Sequence, residues 1–228
     1  MAVMSEKKDG SMKFFKESVL NLENQKNRKR FFEKMEIKES EVVYAYLQGG
    51  NKATVVENSG REIIPETDAL ITKQKNLYLS ITVADCIPVF FYNAEAKIIS
   101  IVHAGWRGIV SGIVKNTVDK IIEVGGQPEN MAVAMGPGIN ACHFNIKADA
   151  LDEFDEYKEF LLEKDGLRFV DLKGIIKKQL LELGINPENI ENNNDCTFEN
   201  ADKYFSYRRD KKNPENMEAM LALIGMKK

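Results

Sequence analysis

The 228-residue chain sets 32 Lys and Arg against 35 Asp and Glu, a formal net charge of -3, so no global positive field speaks for nucleic acid and no acidic tract for disorder. Hydrophobic residues are 43% of the sequence, enough for a sizeable core in one domain, and no apolar run has the length of a membrane span or the pattern of a secretory leader. Three cysteines in three separate motifs speak against a disulfide scaffold, and the expectation is a cytoplasmic protein with free thiols or thiol ligands.

In chain order, residues 1–22 are polar around one short apolar run, Met12-Lys-Phe-Phe15, and are expected to be peripheral. Residues 23–35 read as a basic amphipathic helix whose charges make a solvated face. Strands follow at 42–47, stopped by Gly49-Gly50, then at 54–56, turned by Asn58-Ser-Gly60, and at 68–72.

One long strand is predicted over 77–92, with Pro88 marking a bulge or an unpaired edge. A turn at 93–96 and a returning strand at 97–103 would set Cys86 directly opposite His103. Their Cβ atoms would then lie about 5 Å apart on one face. That separation suits two ligands on one metal, or a thiol within reach of a base.

The turn Gly105-Trp-Arg-Gly108 leads into a helix predicted over 109–124. A helix N-terminus beside Arg107 is suited to phosphate. A strand at 131–135 ends in Gly136-Pro-Gly138, and Cys142 and His143 follow side by side. Neighbours in an extended segment face opposite ways, so at most one of the two is expected to join Cys86 and His103. Helices are predicted over 147–164 and 167–183, then a polar loop over 192–200, the arginine pair Arg208-Arg209 and a closing strand over 217–226.

Four motifs in this order, Ala84-Asp-Cys-Ile-Pro-Val89, His103-Ala-Gly-Trp-Arg-Gly108, Gly136-Pro-Gly-Ile139 and Phe205-Ser-Tyr-Arg-Arg-Asp210, resemble the laccase-domain proteins, also called YfiH-like or multicopper polyphenol oxidoreductase-like. The resemblance implies a single-domain α/β (α+β) fold over 1–228, with mixed β-sheets packed between helices. It also implies phosphorolysis of adenosine, inosine and methylthioadenosine to base and ribose 1-phosphate, with adenosine deaminase activity.

By the same resemblance Cys86 and His103 are zinc ligands, and Gly50 stands at the third ligand position, where the family has histidine. Cys142 or His143 is the expected substitute donor, and the family's Thr-Gly-Arg after the arginine pair is replaced by Lys212-Asn-Pro-Glu-Asn216. Copper is disfavoured, since two histidines cannot build a multicopper centre.

The leading expectation is a purine nucleoside phosphorylase with Cys86, His103 and Asp85 as catalytic groups. Trp106, Arg107, Arg208, Arg209, Cys142 and His143 would then bind nucleoside and phosphate, with no nucleic-acid or membrane partner. One alternative is a metal-free thiol hydrolase using Cys86 and His103 as nucleophile and base. Another is a non-catalytic nucleoside- or partner-binding member.

Overall fold

The computed structural model describes residues 1–16, 19–57, 62–212 and 217–227, with the side chains of 15, 16, 19, 20 and 148 left aside. The turn expected at Asn58-Ser-Gly60 and most of the segment in place of Thr-Gly-Arg lie outside the described residues. Two mixed sheets stack face to face. One has five strands in the order Ala2–Met4, Met220–Gly225, Tyr78–Val83, Val42–Ala45 and Glu62–Ile64. The other has six, in the order Ile190–Asn192, Met131–Met135, Ile87–Asn93, Ile98–Ala104, Ala69–Thr72 and Ala53–Val55.

Three apolar layers hold the stack together. Leu79, Ile81, Phe90, Ile99 and Ile101 fill the space between the sheets. The outer face of the six-stranded sheet packs on the helices Ile113–Glu123 and Leu172–Glu182 through Val102, Val118 and Ile176. The outer face of the five-stranded sheet packs through Tyr44 and Leu223 on Phe31 and Phe32 of the helix Leu22–Lys34. Central strands covered on both faces favour apolar residues on both sides, which is why Val42–Ala45 reads as an unbroken apolar run and Ile98–Val102 is interrupted only by the buried Ser100.

The N-terminal residues are not peripheral. Ala2–Met4 pairs with Met220–Gly225, Met12 is fully buried, and the Arg28 guanidinium stacks on Phe14, 4.1 Å from the ring centroid. Among the described residues no helix is long and apolar enough to cross a membrane.

Six expectations need correction. The strand expected over 77–92 is two strands in different sheets, Tyr78–Val83 and Ile87–Asn93, separated by a break at Asp85 whose φ is 82°. The hairpin turn lies one residue further on than expected, so His103 pairs with Pro88 and not with Cys86. Cys86 lies in the break itself, one residue before the strand Ile87–Asn93, yet its sulfur still lies beside the His103 ring at Gly105. Pro88 is in an interior strand and needs no bulge: its pair His103 turns its own N–H away to Asp68 O (2.8 Å), and the opposite neighbour Met131–Met135 ends beside it.

The helix expected over 109–124 is broken by Gly112 at φ 90° into Trp106–Val110 and Ile113–Glu123. The helix expected over 147–164 is a set of tight 3₁₀ turns leading into the strand Leu161–Lys164. The one expected over 167–183 is the strand Leu167–Val170 followed by Leu172–Glu182.

Candidate active site

The break between the sheets is where polar groups gather. Asp85 holds a left-handed backbone that non-glycine residues adopt at a cost, and its carboxylate fixes it there. Oδ1 accepts from Thr197 Oγ1 (2.6 Å), and Oδ2 accepts from Ser206 Oγ (3.0 Å) and Arg208 N (2.6 Å). Its carbonyl accepts from Ile139 N (2.9 Å). One buried aspartate thus ties the Gly-Pro-Gly-Ile turn, the 196–199 segment and the arginine pair to the residue before Cys86.

His103 ends the strand Ile98–Ala104, its side chain 12% exposed, with Nδ1 2.9 Å from Asp68 Oδ1. Asp68 is 1% exposed and accepts the backbone N–H groups of Gln48 (3.2 Å), Gly49 (2.9 Å) and Gly50 (2.9 Å). Burial alone would raise its pKa, but the hydrogen bonds from His103 and the Gly50 and Gly49 amides outweigh burial and hold it below the usual carboxylate range. On His103 burial acts the other way, yet the Cys86 sulfur and Asp68 together push the imidazole up to about 10. With Nδ1 engaged by Asp68, Nε2 is the ring nitrogen left for Cys86, whose sulfur lies with His103 Cε1 around the space beside Gly105, so the order is carboxylate, imidazole, thiol.

Two glycines of the His103–Gly108 motif have steric reasons to be there. A Cβ on Gly105 would stand 3.2 Å from Cys86 Sγ and 3.5 Å from His103 Cε1, and one on Gly108 would stand 2.6 Å from the Gly50 carbonyl. The first glycine lets thiol and imidazole meet. The second lets the helix Trp106–Val110 close against the 48–51 turn.

A cavity of about 320 Å³ opens beside Cys86, lined also by Asp85, Trp106, Arg107, Phe144, Tyr207 and Arg208. A second cleft of about 480 Å³ continues past Trp106, Arg107, Phe144 and Arg208. Arg107 lies flat on Trp106, its Cζ 4.3 Å from the ring centroid. Arg208 lies over Phe144 at 5.1 Å and donates through Nη1 to the Asn145 carbonyl (2.9 Å) and to Asn145 Oδ1. Its neighbour differs. Arg209 is spent on the chain itself, donating to the carbonyls of Thr197, Phe198 and Tyr204 at 2.8–3.0 Å.

The family model described as multi-copper polyphenol oxidoreductase laccase matches residues 21–227. The chain belongs to that family. Proteins named purine nucleoside phosphorylase in Corynebacterium glutamicum and Deinococcus radiodurans are 31% and 35% identical to this member, over 81% and 69% of its length and 75% and 62% of theirs. The alignment thus spans less than two thirds of the Deinococcus protein. The crystal structure of YlmD from Geobacillus stearothermophilus superposes with a TM-score of 0.90 at 25% identity, covering 100% of this chain and 92% of that one. The Bacillus licheniformis protein YfiH gives 0.83 at 27% identity, covering 90% and 81%.

This laccase-family member does not offer the zinc site that the resemblance implies. The 48–51 turn brings no donor side chain; Gly50 gives its N–H to Asp68, and Asn51 Nδ2 donates to Ser111 O (2.6 Å). Among the described residues, Cys86 and His103 belong to no group of three converging His, Cys, Asp or Glu donors. A catalytic zinc normally has three protein ligands, so these residues do not fit one. Cys142 and His143 do not rescue it. They sit in a turn, not in an extended segment, and their donors converge with Cys196 and Glu199 on a different place.

Asp68 is the residue that sequence reasoning missed. As a lone aspartate before a strand it reads as a turn residue, and its partner lies 35 positions away. Its only local signal is a carboxylate placed at the start of a strand that is buried throughout.

Proposed function

We propose that the chain is an enzyme of purine nucleosides that splits the bond between base and ribose with inorganic phosphate, acting on adenosine, inosine or methylthioadenosine. The reading is carried by one juxtaposition: the aromatic residues Trp106 and Phe144, two arginines and Cys86 share one cavity, whose volume suits a small ligand. The names of the relatives support the same substrate class.

In this reading the purine lies against Trp106 and Phe144, and phosphate is held by Arg107 and Arg208. A phosphate oxygen attacks the anomeric carbon as the carbon–nitrogen bond breaks, and the bonding pair leaves on the base. A proton must reach that base. Cys86 Sγ lines the cavity and is the delivering atom, resupplied from His103 Nε2, while Asp68 keeps the ring oriented and stabilises its charged form. Asp85, with both oxygens engaged, is a positioning residue for Cys86 and Arg208, and Arg209 braces the same loop. No step depends on a metal.

The test is incubation of the purified protein with each nucleoside, with and without phosphate, followed by separation of base, ribose 1-phosphate and any inosine formed by deamination. Base release that requires phosphate supports the reading. Release of base at the same rate without phosphate refutes it.

A second reading is favoured by the carboxylate–imidazole–thiol order itself, which is that of a cysteine nucleophile with an oriented base. Here Cys86 would attack an acyl or amide substrate. Rapid alkylation of Cys86, in preference to exposed Cys142, together with turnover of an activated amide would support it; inert Cys86 would dismiss it.

A further inference from the structure

We propose that Cys142, His143, Cys196 and Glu199 form a zinc site, distinct from the Cys86–His103 pair. The four donor atoms all lie within 4.8 Å of one another. Individual separations are 3.1 Å for Cys142 Sγ to His143 Nδ1, 3.7 Å for Cys142 Sγ to Glu199 Oε1, 3.8 Å for Cys196 Sγ to His143 Nδ1 and 3.6 Å for His143 Nδ1 to Glu199 Oε1. Ligands on a tetrahedral zinc, with bonds of about 2.0–2.3 Å, stand roughly 3.3–3.8 Å apart, so these four separations are already near bonded spacing.

The surroundings hold these donors in place without any ion. The His143 ring stacks on Phe198 with centroids 4.4 Å apart, which fixes its orientation. Asn140 N donates to Cys196 Sγ (3.4 Å), Asn200 Nδ2 donates to the Cys196 carbonyl (2.9 Å), and Cys196 bridges to Gly138. Cys196 is 1% exposed, whereas Cys142 and Glu199 are open to solvent, so an ion can enter from outside.

The chemistry selects the metal. Two thiolates and one imidazole form a borderline-soft set with a tetrahedral preference, which is met by zinc rather than by calcium or magnesium. Loading releases the two thiol protons to solvent and changes no oxidation state. The ion would join the 142–143 turn to the 196–199 turn. The first turn carries Phe144 and the second carries Thr197, the partner of Asp85, so the site staples one wall of the cavity.

The test uses the full-length chain, reduced and stripped of metal, titrated with cobalt(II) chloride and then with zinc chloride. One equivalent of cobalt should give tetrahedral ligand-field bands and a thiolate-to-cobalt charge-transfer band, both abolished by zinc. Cys142→Ser should weaken cobalt binding by about 100-fold, and Glu199→Gln should shift the ligand-field bands. Cys86→Ala should leave spectrum and affinity unchanged. Both tested ligands are exposed, so their variants are expected to keep the wild-type circular dichroism. No thiolate band in the wild type, an affinity and spectrum unchanged in Cys142→Ser, or a band lost in Cys86→Ala would each overturn the proposal.

Discussion

The His103 Nδ1 lies 2.9 Å from Asp68 Oδ1, and the same carboxylate collects three consecutive backbone amides from the turn that carries Gly50. Where the resemblance calls for a histidine as the third ligand, the chain has a loop whose amides hold Asp68, and Asp68 in turn orients His103 and favours its charged form. Asp68→Asn removes one acceptor and turns an amide N–H toward a donor. By analogy with the triad aspartate, turnover should fall by about 10³- to 10⁴-fold with KM nearly unchanged, and a steady-state comparison of the two enzymes checks it. A fall in kcat/KM caused by KM alone would remove Asp68 from the proton path.

The raised pKa of His103 also makes stability depend on pH. Its folded-state value of about 10 lies above the unfolded value of about 6.5, so the protonated ring stabilises the fold in full below pH 6.5, and that contribution is lost as pH rises through 10. Thermal melts of wild type and His103→Gln from pH 6 to pH 10.5 should therefore show a difference in Tm that shrinks with rising pH. A constant difference would mean that the imidazole is neutral in the fold.

Gly105→Ala and Gly108→Ala should fail in different ways. At Gly105 the new methyl group meets the Cys86 sulfur at 3.2 Å and the His103 ring at 3.5 Å, atoms that can move, so activity should fall more than stability. At Gly108 it meets a backbone carbonyl at 2.6 Å, and the helix Trp106–Val110 must shift at a cost of about 1–3 kcal/mol. Chemical denaturation beside kinetics separates the two. Equal loss of stability would contradict the assignment.

The two adjacent arginines should also separate. Arg208→Lys keeps the charge but cannot keep both the fork at Asn145 and the stacking on Phe144, so KM for phosphate should rise about 10-fold or more. Arg209→Lys should instead lower Tm, because its donors hold the 197–204 carbonyls. A phosphate KM unchanged in Arg208→Lys would place the anion elsewhere.

The layers were legible because strands covered on both faces leave long apolar runs, and Met131–Met135 came out with its exact bounds. The break at Asp85 was not: Thr82-Val-Ala-Asp-Cys-Ile keeps β-branched residues on both sides, and the turn is enforced by Thr197, Ser206 and Arg208, more than a hundred residues away. The proximity of Cys86 and His103 was readable from the two apolar runs, but not their register: His103 pairs with Pro88, and Cys86 stands just before the strand. Gly112 was a missed signal, since a glycine after Val110-Ser111 already warns of a helix break. The turn at 142–143 carries no glycine or proline of its own, so the convergence of its thiol and imidazole on Cys196 was visible only in three dimensions.

The central claim is that phosphate-dependent cleavage of a purine nucleoside runs through Cys86 and His103. The most direct measurement is the initial rate of adenine release from adenosine in phosphate buffer by wild type, Cys86→Ala and His103→Ala, each shown to be folded by circular dichroism. The expected result is release by the wild type that falls by about 10³-fold or more in both variants. Undiminished release by either variant would contradict it.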